Sequence, residues 1–555
     1  MRSRNAVLWC NGSTSDSGSA CLGSSPSKTT CGFKDIRNMK YLIICSLVIS
    51  LLLSSCSENI PENAVSQNTN AVVYPDYTGL VLPCNIAPLN FNIEEEADNY
   101  ITVTHSSKGK KLIAGGKKVQ FSIKQWKKLL EANKGDTLYT DIYLKKDKQW
   151  LKYPSIKNFV APEEIDRYIS YRLIEPSYAF YENLTINQRD LTGFEEKIIY
   201  SNQIFAIRDR SKDQCINCHS FRNYNKTGDM QFHLRHHLGG TVIVSGNSIR
   251  KVNLKTEYTI SAGAYPSWHP TMNLIAYSVN STGQRFHTLD NQKIEVMDSA
   301  SDLILYDIDK NEVSFIANDP KQLETFPSWS HDGKYLYYVS ADYPDGIDKN
   351  SADVSFTYKD FHYNIYRKEF NAEIRGFSHT DTIFNASEYG KSAAFPRESP
   401  DGKYLLFTLA DFGNFHIWHK SADLYIIDLE TAAFRALTEL NSLDVESYHS
   451  WSSNGKWIIF SSRRDDGSYT RPYIAYFRDG EASKPFILPQ QDPDFYAAFF
   501  KSYNIPEFMT EKVKVSPQQL ANKIKEEAIP AVFNEKQKTK LKKEQDRKGQ
   551  DNFYK

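Results

Sequence analysis

An excess of charge of either sign is missing from this chain: 67 Lys and Arg stand against 67 Asp and Glu. With no surplus of cations to neutralise phosphates, bulk composition gives no case for nucleic acid as a partner. Long apolar runs are missing too. The stretch Tyr41–Leu53 is interrupted by Cys and Ser and falls short of a stable membrane span. Glycine (26) and proline (22) sit at ordinary levels, which excludes collagen-like and low-complexity chains. No P-loop is visible. After Leu488 there is no Gly-x-Ser-x-Gly elbow and too little chain for a catalytic α/β domain. Cysteine is scarce: of eight, Cys10, Cys21, Cys31, Cys45 and Cys56 lie near the N-terminus, leaving Cys84, Cys215 and Cys218. Three residues make no disulfide framework.

What is present begins at Met39. Lys40 and a short apolar run ending in small residues read as a secretory signal over 39–55. Residues 1–38, rich in Ser, Gly and Cys, precede the natural start of such a signal and are expected to be a mis-called leader. Leu53-Ser54-Ser55-Cys56 resembles the lipobox of bacterial lipoproteins. That resemblance implies cleavage before Cys56, acylation there, and a lipid anchor in the cell envelope, in the outer membrane of a Gram-negative bacterium. Polar residues 56–80 follow as anchor and linker.

The body of the chain reads as mainly β, in keeping with 13% aromatic residues. Over 81–202, Ile101–Val103, Val119–Ile123 and Leu138–Leu144 alternate or run as strands, with a short helix after Ser122 burying Trp126, Leu129 and Leu130. A β-sandwich-like domain is expected there. The stretch Ile165–Pro176 mixes signals. Repeats dominate the next region. Tyr265-Pro-Ser-Trp268, Phe326-Pro-Ser-Trp329, Phe395-Pro-Arg-Glu398 and Tyr448-His-Ser-Trp451 each lead, through Thr-Met-Asn, Asp-Gly or Asn-Gly, into an apolar strand. Asp302–Asp309 recurs as Asp423–Glu430. These units resemble the TolB-like β-propeller repeats, which implies a five- or six-bladed propeller over 240–500, with 501–555 as a C-terminal extension and charged tail. Trp268, Trp329 and Trp451 recur at one blade position and are read as core rather than sugar-stacking residues. Asp307, Asp309 and Asp428 are read as turn-closing rather than metal-binding.

The segment 203–239 carries Cys215-Ile216-Asn217-Cys218-His219, the attachment signature of c-type haem. In that reading the two thiols bond the haem vinyl groups and His219 binds the iron as proximal ligand. Within 230–235, Met230, Phe232 and Leu234 share one strand face, so His233 is the preferred distal ligand and Met230 the alternative, with His236 and His237 behind them. Competing readings give Cys215 and Cys218 a disulfide or thiol-redox role, or a zinc site with His219. The chain also resembles lipoproteins in which a β-domain precedes a Cys-x-x-Cys-His-Ser-Phe segment and TolB-like repeats, here Cys215–Phe221. The resemblance implies one covalent haem c and electron transfer or redox sensing with an envelope partner protein. The alternative is a non-enzymatic propeller that binds a protein or glycan, with a structural Cys215–Cys218 disulfide.

Overall fold

Four-stranded antiparallel sheets repeat along the chain, each running outward from a short inner strand. The structure, a computed structural model, describes residues 60–541 apart from 176–182, 207–213, 288–291, 293, 345–346 and 348–356. The leader, the signal and Cys56 lie outside the described residues.

Six sheets act as blades. Blade 2 runs Gln214–Phe221, Met230–His236, Gly240–Ser245 and Ser248–Asn253. Blade 3 starts at Ala264–Trp268, blade 4 at Gln322–Trp329, blade 5 at Ser392–Glu398 and blade 6 at Glu446–Trp451. Blade 1 is made from both ends of the chain. Its inner strand, Ser502–Met509, pairs antiparallel with Tyr168–Ile174, followed outward by Thr185–Asp190 and Glu196–Ser201. Each inner strand packs on the next, and that of blade 1 touches those of blades 6 and 2, so the ring closes at six. Aromatic and branched side chains alternate toward the spaces between sheets, which is why Trp268, Trp329 and Trp451 are buried.

This corrects the expected boundaries. Residues 168–201 belong to a blade rather than to a separate β-domain, and 502–509 is not an extension: it supplies the strand that fastens the ring. Within the segment 203–239, Gln214–Phe221 and Met230–His236 are likewise the first two strands of blade 2. Beyond Met509 the chain lays Ile529–Pro530 and Val532–Phe533 parallel to the outer edges of blades 2 and 3, covering edges that would otherwise be open to pairing.

Residues 60–167 form a sheet built around Thr137–Lys146 and a three-stranded one around Phe91–Ile93. The helix Ile123–Ala132 buries Trp126, Leu129 and Leu130 as its periodicity demands, although the Ser122 side chain makes no cap hydrogen bond. This part shares one apolar core with blade 6: Leu80, Ile86 and Leu130 lie in the same cluster as Trp457, Ile474 and Phe486. Asp307 and Asp428 close turns through their carboxylates, which accept from Asp309 N and Lys310 N, and from Glu430 N and Thr431 N.

Candidate functional site

Each inner strand carries the same defect. At Cys218, Tyr265, Phe326, Phe395, Tyr448 and Ile505 the backbone is left-handed, with φ between 45° and 53°. The ladder slips at each of these points. Such a bulge turns the side chain out of the sheet, and a non-glycine residue holds it only where packing over-determines it. Here the packing is mutual. The rings of Tyr265 and Phe326, Phe326 and Phe395, and Phe395 and Tyr448 lie 4.5, 4.3 and 4.6 Å apart between centroids. Cys218 and Ile505 complete the ring around the propeller axis.

The bulge aligns the six strands residue by residue and gives the Cys-x-x-Cys-His motif a second meaning. Cys218-His219-Ser220-Phe221 occupies the slots of Tyr448-His449-Ser450-Trp451 and of Tyr265-Pro266-Ser267-Trp268. Ile505-Pro506-Glu507-Phe508 is the sixth copy. Both copies were legible in principle: His-Ser-aromatic is shared with blade 6, and Ile-Pro-x-aromatic with the Pro-containing blades.

Two cavities meet at this ring. The first, of about 470 Å3, is lined by Cys215, Cys218, Arg172, Arg235 and Arg463 with Trp418 and Tyr469. The second, of about 360 Å3, is lined by Cys218, His219 and the prolines, serines and tryptophans of the repeats. Cys218, Tyr265, Tyr448 and Ile505 line both, so the ring is the partition between them.

Electrostatics differ between the two sides. Arg172 of blade 1 is spent on the seam: it donates to Ile216 O and Asn217 Oδ1 of blade 2 and, at 3.0 Å, to Asn504 Oδ1. Arg463 is 3% exposed, stacks 3.2 Å from the Trp418 ring centroid, and is pulled down to about 9 by burial. No salt bridge joins Arg172, Arg235 or Arg463 to a carboxylate among the described residues. Cys215 is buried, accepts from Asn217 Nδ2 at 3.2 Å, and has its thiol pKa raised by burial.

The arrangement does not gather the donors expected of a haem site. Cys215 lines the first cavity and His219 the second. His219 is 2% exposed, burial lowers it to about 3, and its Nε2 has no partner. His233 lines neither cavity: its Nδ1 is 3.1 Å from Thr241 Oγ1, and burial lowers it to about 3 as well. Met230 is packed with Phe232 and Leu234 in the core of blade 2, as the strand pattern required. His236 and His237 also lie outside both cavity walls. The physical reason is the strand itself. A β-strand with a bulge sends residues 215 and 219 to different sides of the ring, and the ladder turns 230 and 233 away from the axis. These residues do not fit a haem held by both thiols and His219. No cluster of three or more His, Cys, Asp or Glu suited to a metal occurs among the described residues.

No protein-family profile and no curated protein matches the chain. Solved structures give only remote likenesses. Oligogalacturonate lyase from Vibrio parahaemolyticus aligns at 13% identity and a TM-score of 0.29, over 74% of this chain and 99% of that one. The periplasmic gluconolactonase of Pseudomonas aeruginosa aligns at 10% and 0.26, over 57% and 68%. A prolyl endopeptidase aligns at 11% and 0.31, over 57% of this chain and 42% of its own. The strand pairing described above, rather than these likenesses, defines the propeller.

Proposed function

We propose that the chain is a non-enzymatic binding protein whose first cavity takes a small anionic ligand carrying a carboxylate or phosphate. One observation carries this reading: Arg463 is buried in the wall, its Nε has no partner and no carboxylate forms a salt bridge with it among the described residues, although the charges of Asp444 and Asp466 are felt there, and Arg172 and Arg235 share that wall with Glu175. A buried cation without a direct ion pair costs up to several kcal/mol, part of which a charge-assisted contact returns. An incoming anion recovers that part, and Trp418 and Tyr469 offer it an apolar wall. The lipobox-like Leu53–Cys56 supports tethering through Cys56 in the envelope, and the repeats support kinship with TolB-like propellers.

Titration calorimetry with citrate, glucuronate, inorganic phosphate and neutral glucose tests the reading. At least one anion is expected to bind, with Arg463→Gln weakening it about tenfold or more. Binding of glucose alone, or equal binding by the variant, counts against it. A second reading, haem c on Cys215 and Cys218 with redox function, is favoured by one observation, that both cysteines line the same cavity, and it needs an iron ligand other than His219, which lines the other one.

A further inference from the structure

A slot that serves only the fold takes the same residue in every blade, so departures from the repeat mark where something else is selected. In the slot after the ring residue, blades 3, 4, 5 and 1 carry proline, whereas blades 2 and 6 carry His219 and His449. One slot further on, blades 2, 3, 4 and 6 carry serine, whereas blade 5 carries Arg397 and blade 1 carries Glu507. Blades 3 and 4 keep aromatic-Pro-Ser-Trp intact. The four departures therefore fall on blades 5, 6, 1 and 2, consecutive around the ring, and all four residues line the second cavity.

Part of their hydrogen-bonding capacity is unspent, although backbone groups already engage His219 (Ile505), His449 (Leu406 and Phe395) and Glu507 (Phe221). Among the described residues, Arg397 makes no salt bridge and its guanidinium no hydrogen bond, although it lies close enough to Glu507 for the two charges to be felt. Glu507 Oε2, His219 Nε2 and His449 Nδ1 have no partner. His449 donates through Nε2 to Leu406 O at 3.1 Å, which leaves Nδ1 as an acceptor. One arc of the wall thus sets a charged donor against a carboxylate and two imidazole acceptors. Glu507, held up at about 7 by burial and drawn down by Arg397, places a carboxyl group beside that guanidinium, unlike the arginine-lined first cavity, so an anion meets a carboxyl group here as well as a cation. A hydroxyl group donates and accepts at once, and a pair of neighbouring hydroxyls answers both kinds of group.

We propose that the second cavity binds a neutral polyhydroxylated ligand, a sugar ring whose vicinal hydroxyls are read by Arg397 and Glu507. Saturation-transfer NMR on the full-length chain, with lactose, maltose, cellobiose and N,N′-diacetylchitobiose as probes at millimolar concentration, tests this. At least one of these disaccharides is expected to show transfer. Arg397→Gln and the near-isosteric Glu507→Gln are each expected to weaken it about tenfold or more with an unchanged circular-dichroism spectrum. Arg463→Gln, on the other side of the ring, is expected to leave it intact. Absence of transfer from all four probes, or undiminished transfer to Glu507→Gln, overturns the proposal. Loss of transfer through Arg463→Gln alone overturns it as well, by moving the sugar to the first cavity.

Discussion

Removing one ring from the closing strand measures how much of the fold hangs on it. Phe508 is 2% exposed, sits opposite Ile169 in the ladder, and packs in the core shared by blade 6 and the N-terminal sheets. Transfer of a buried Phe side chain from water is worth about 1.5–3 kcal/mol. The cavity left behind raises the cost of Phe508→Ala to about 3–5 kcal/mol, a large part of the about 5–15 kcal/mol that separates native from unfolded domains. Phe500, eight residues upstream of Phe508 and 63% exposed, is the internal control: Phe500→Ala is expected to stay within about 0.5 kcal/mol. Urea unfolding followed by tryptophan fluorescence reads both, since Trp451 and Trp457 lie in the same cluster as Phe508. If residues 501–555 were a tail outside the propeller, the two variants would unfold at the same urea concentration. That result would refute the closure of the ring by Ser502–Met509.

Three further outcomes follow from the geometry. The buried carboxyl of Asp298 accepts from Asn280 and Asn414 at 2.8 Å, and burial holds it up at about 6. Between about pH 4 and pH 6 the native state keeps a proton that the unfolded chain has released, so stability falls as pH rises through that window. Thermal melts of Asp298→Asn should therefore lack this slope and gain on the parent by on the order of 3 kcal/mol by about pH 7, with the gain absent below about pH 4; a parallel pair of curves contradicts the assignment. Gly333 has φ +75°, and a Cβ there would lie 2.5 Å from the His269 ring, so Gly333→Ala should cost about 1–3 kcal/mol in urea unfolding, while Gly79→Ala, which meets nothing within 4 Å, pays only for its positive φ. Arg463→Gln should abolish the preference for anions over glucose in calorimetry while leaving the urea midpoint at or above that of the parent, because it removes a buried charge that makes no salt bridge among the described residues.

Much of the propeller was legible because its signals are local. Asp-Gly or Asn-Gly turns followed by apolar strands mark three inner strands from sequence alone, the aromatic-Pro-Ser-Trp repeat marks a fourth before Thr-Met-Asn, and the alternation of Met230, Phe232 and Leu234 fixes the face of a blade 2 strand. The missing blade was not legible by the same means, since its strands come from 168–201 and 502–509 and only pairing across more than 300 residues joins them. At Cys215–His219 two patterns overlap. The haem signature is a match of residue types at short spacing, whereas the repeat signature is a match of slots between blades. The strand with its bulge decides the geometry, sending Cys215 and His219 to opposite sides of the ring. The buried charged groups Arg463, Arg397 and Glu507 had no sequence signal except, for the last two, their departure from Ser in the repeat.

The most direct measurement is the intact mass and absorption spectrum of the mature chain made alongside a c-type haem attachment system. The binding-protein reading, with Cys215 and His219 on opposite sides of the ring, predicts a mass with no haem adduct, whatever the N-terminus carries, and no Soret band after acid-acetone extraction. A covalent haem that survives extraction and disappears in Cys218→Ser would contradict it.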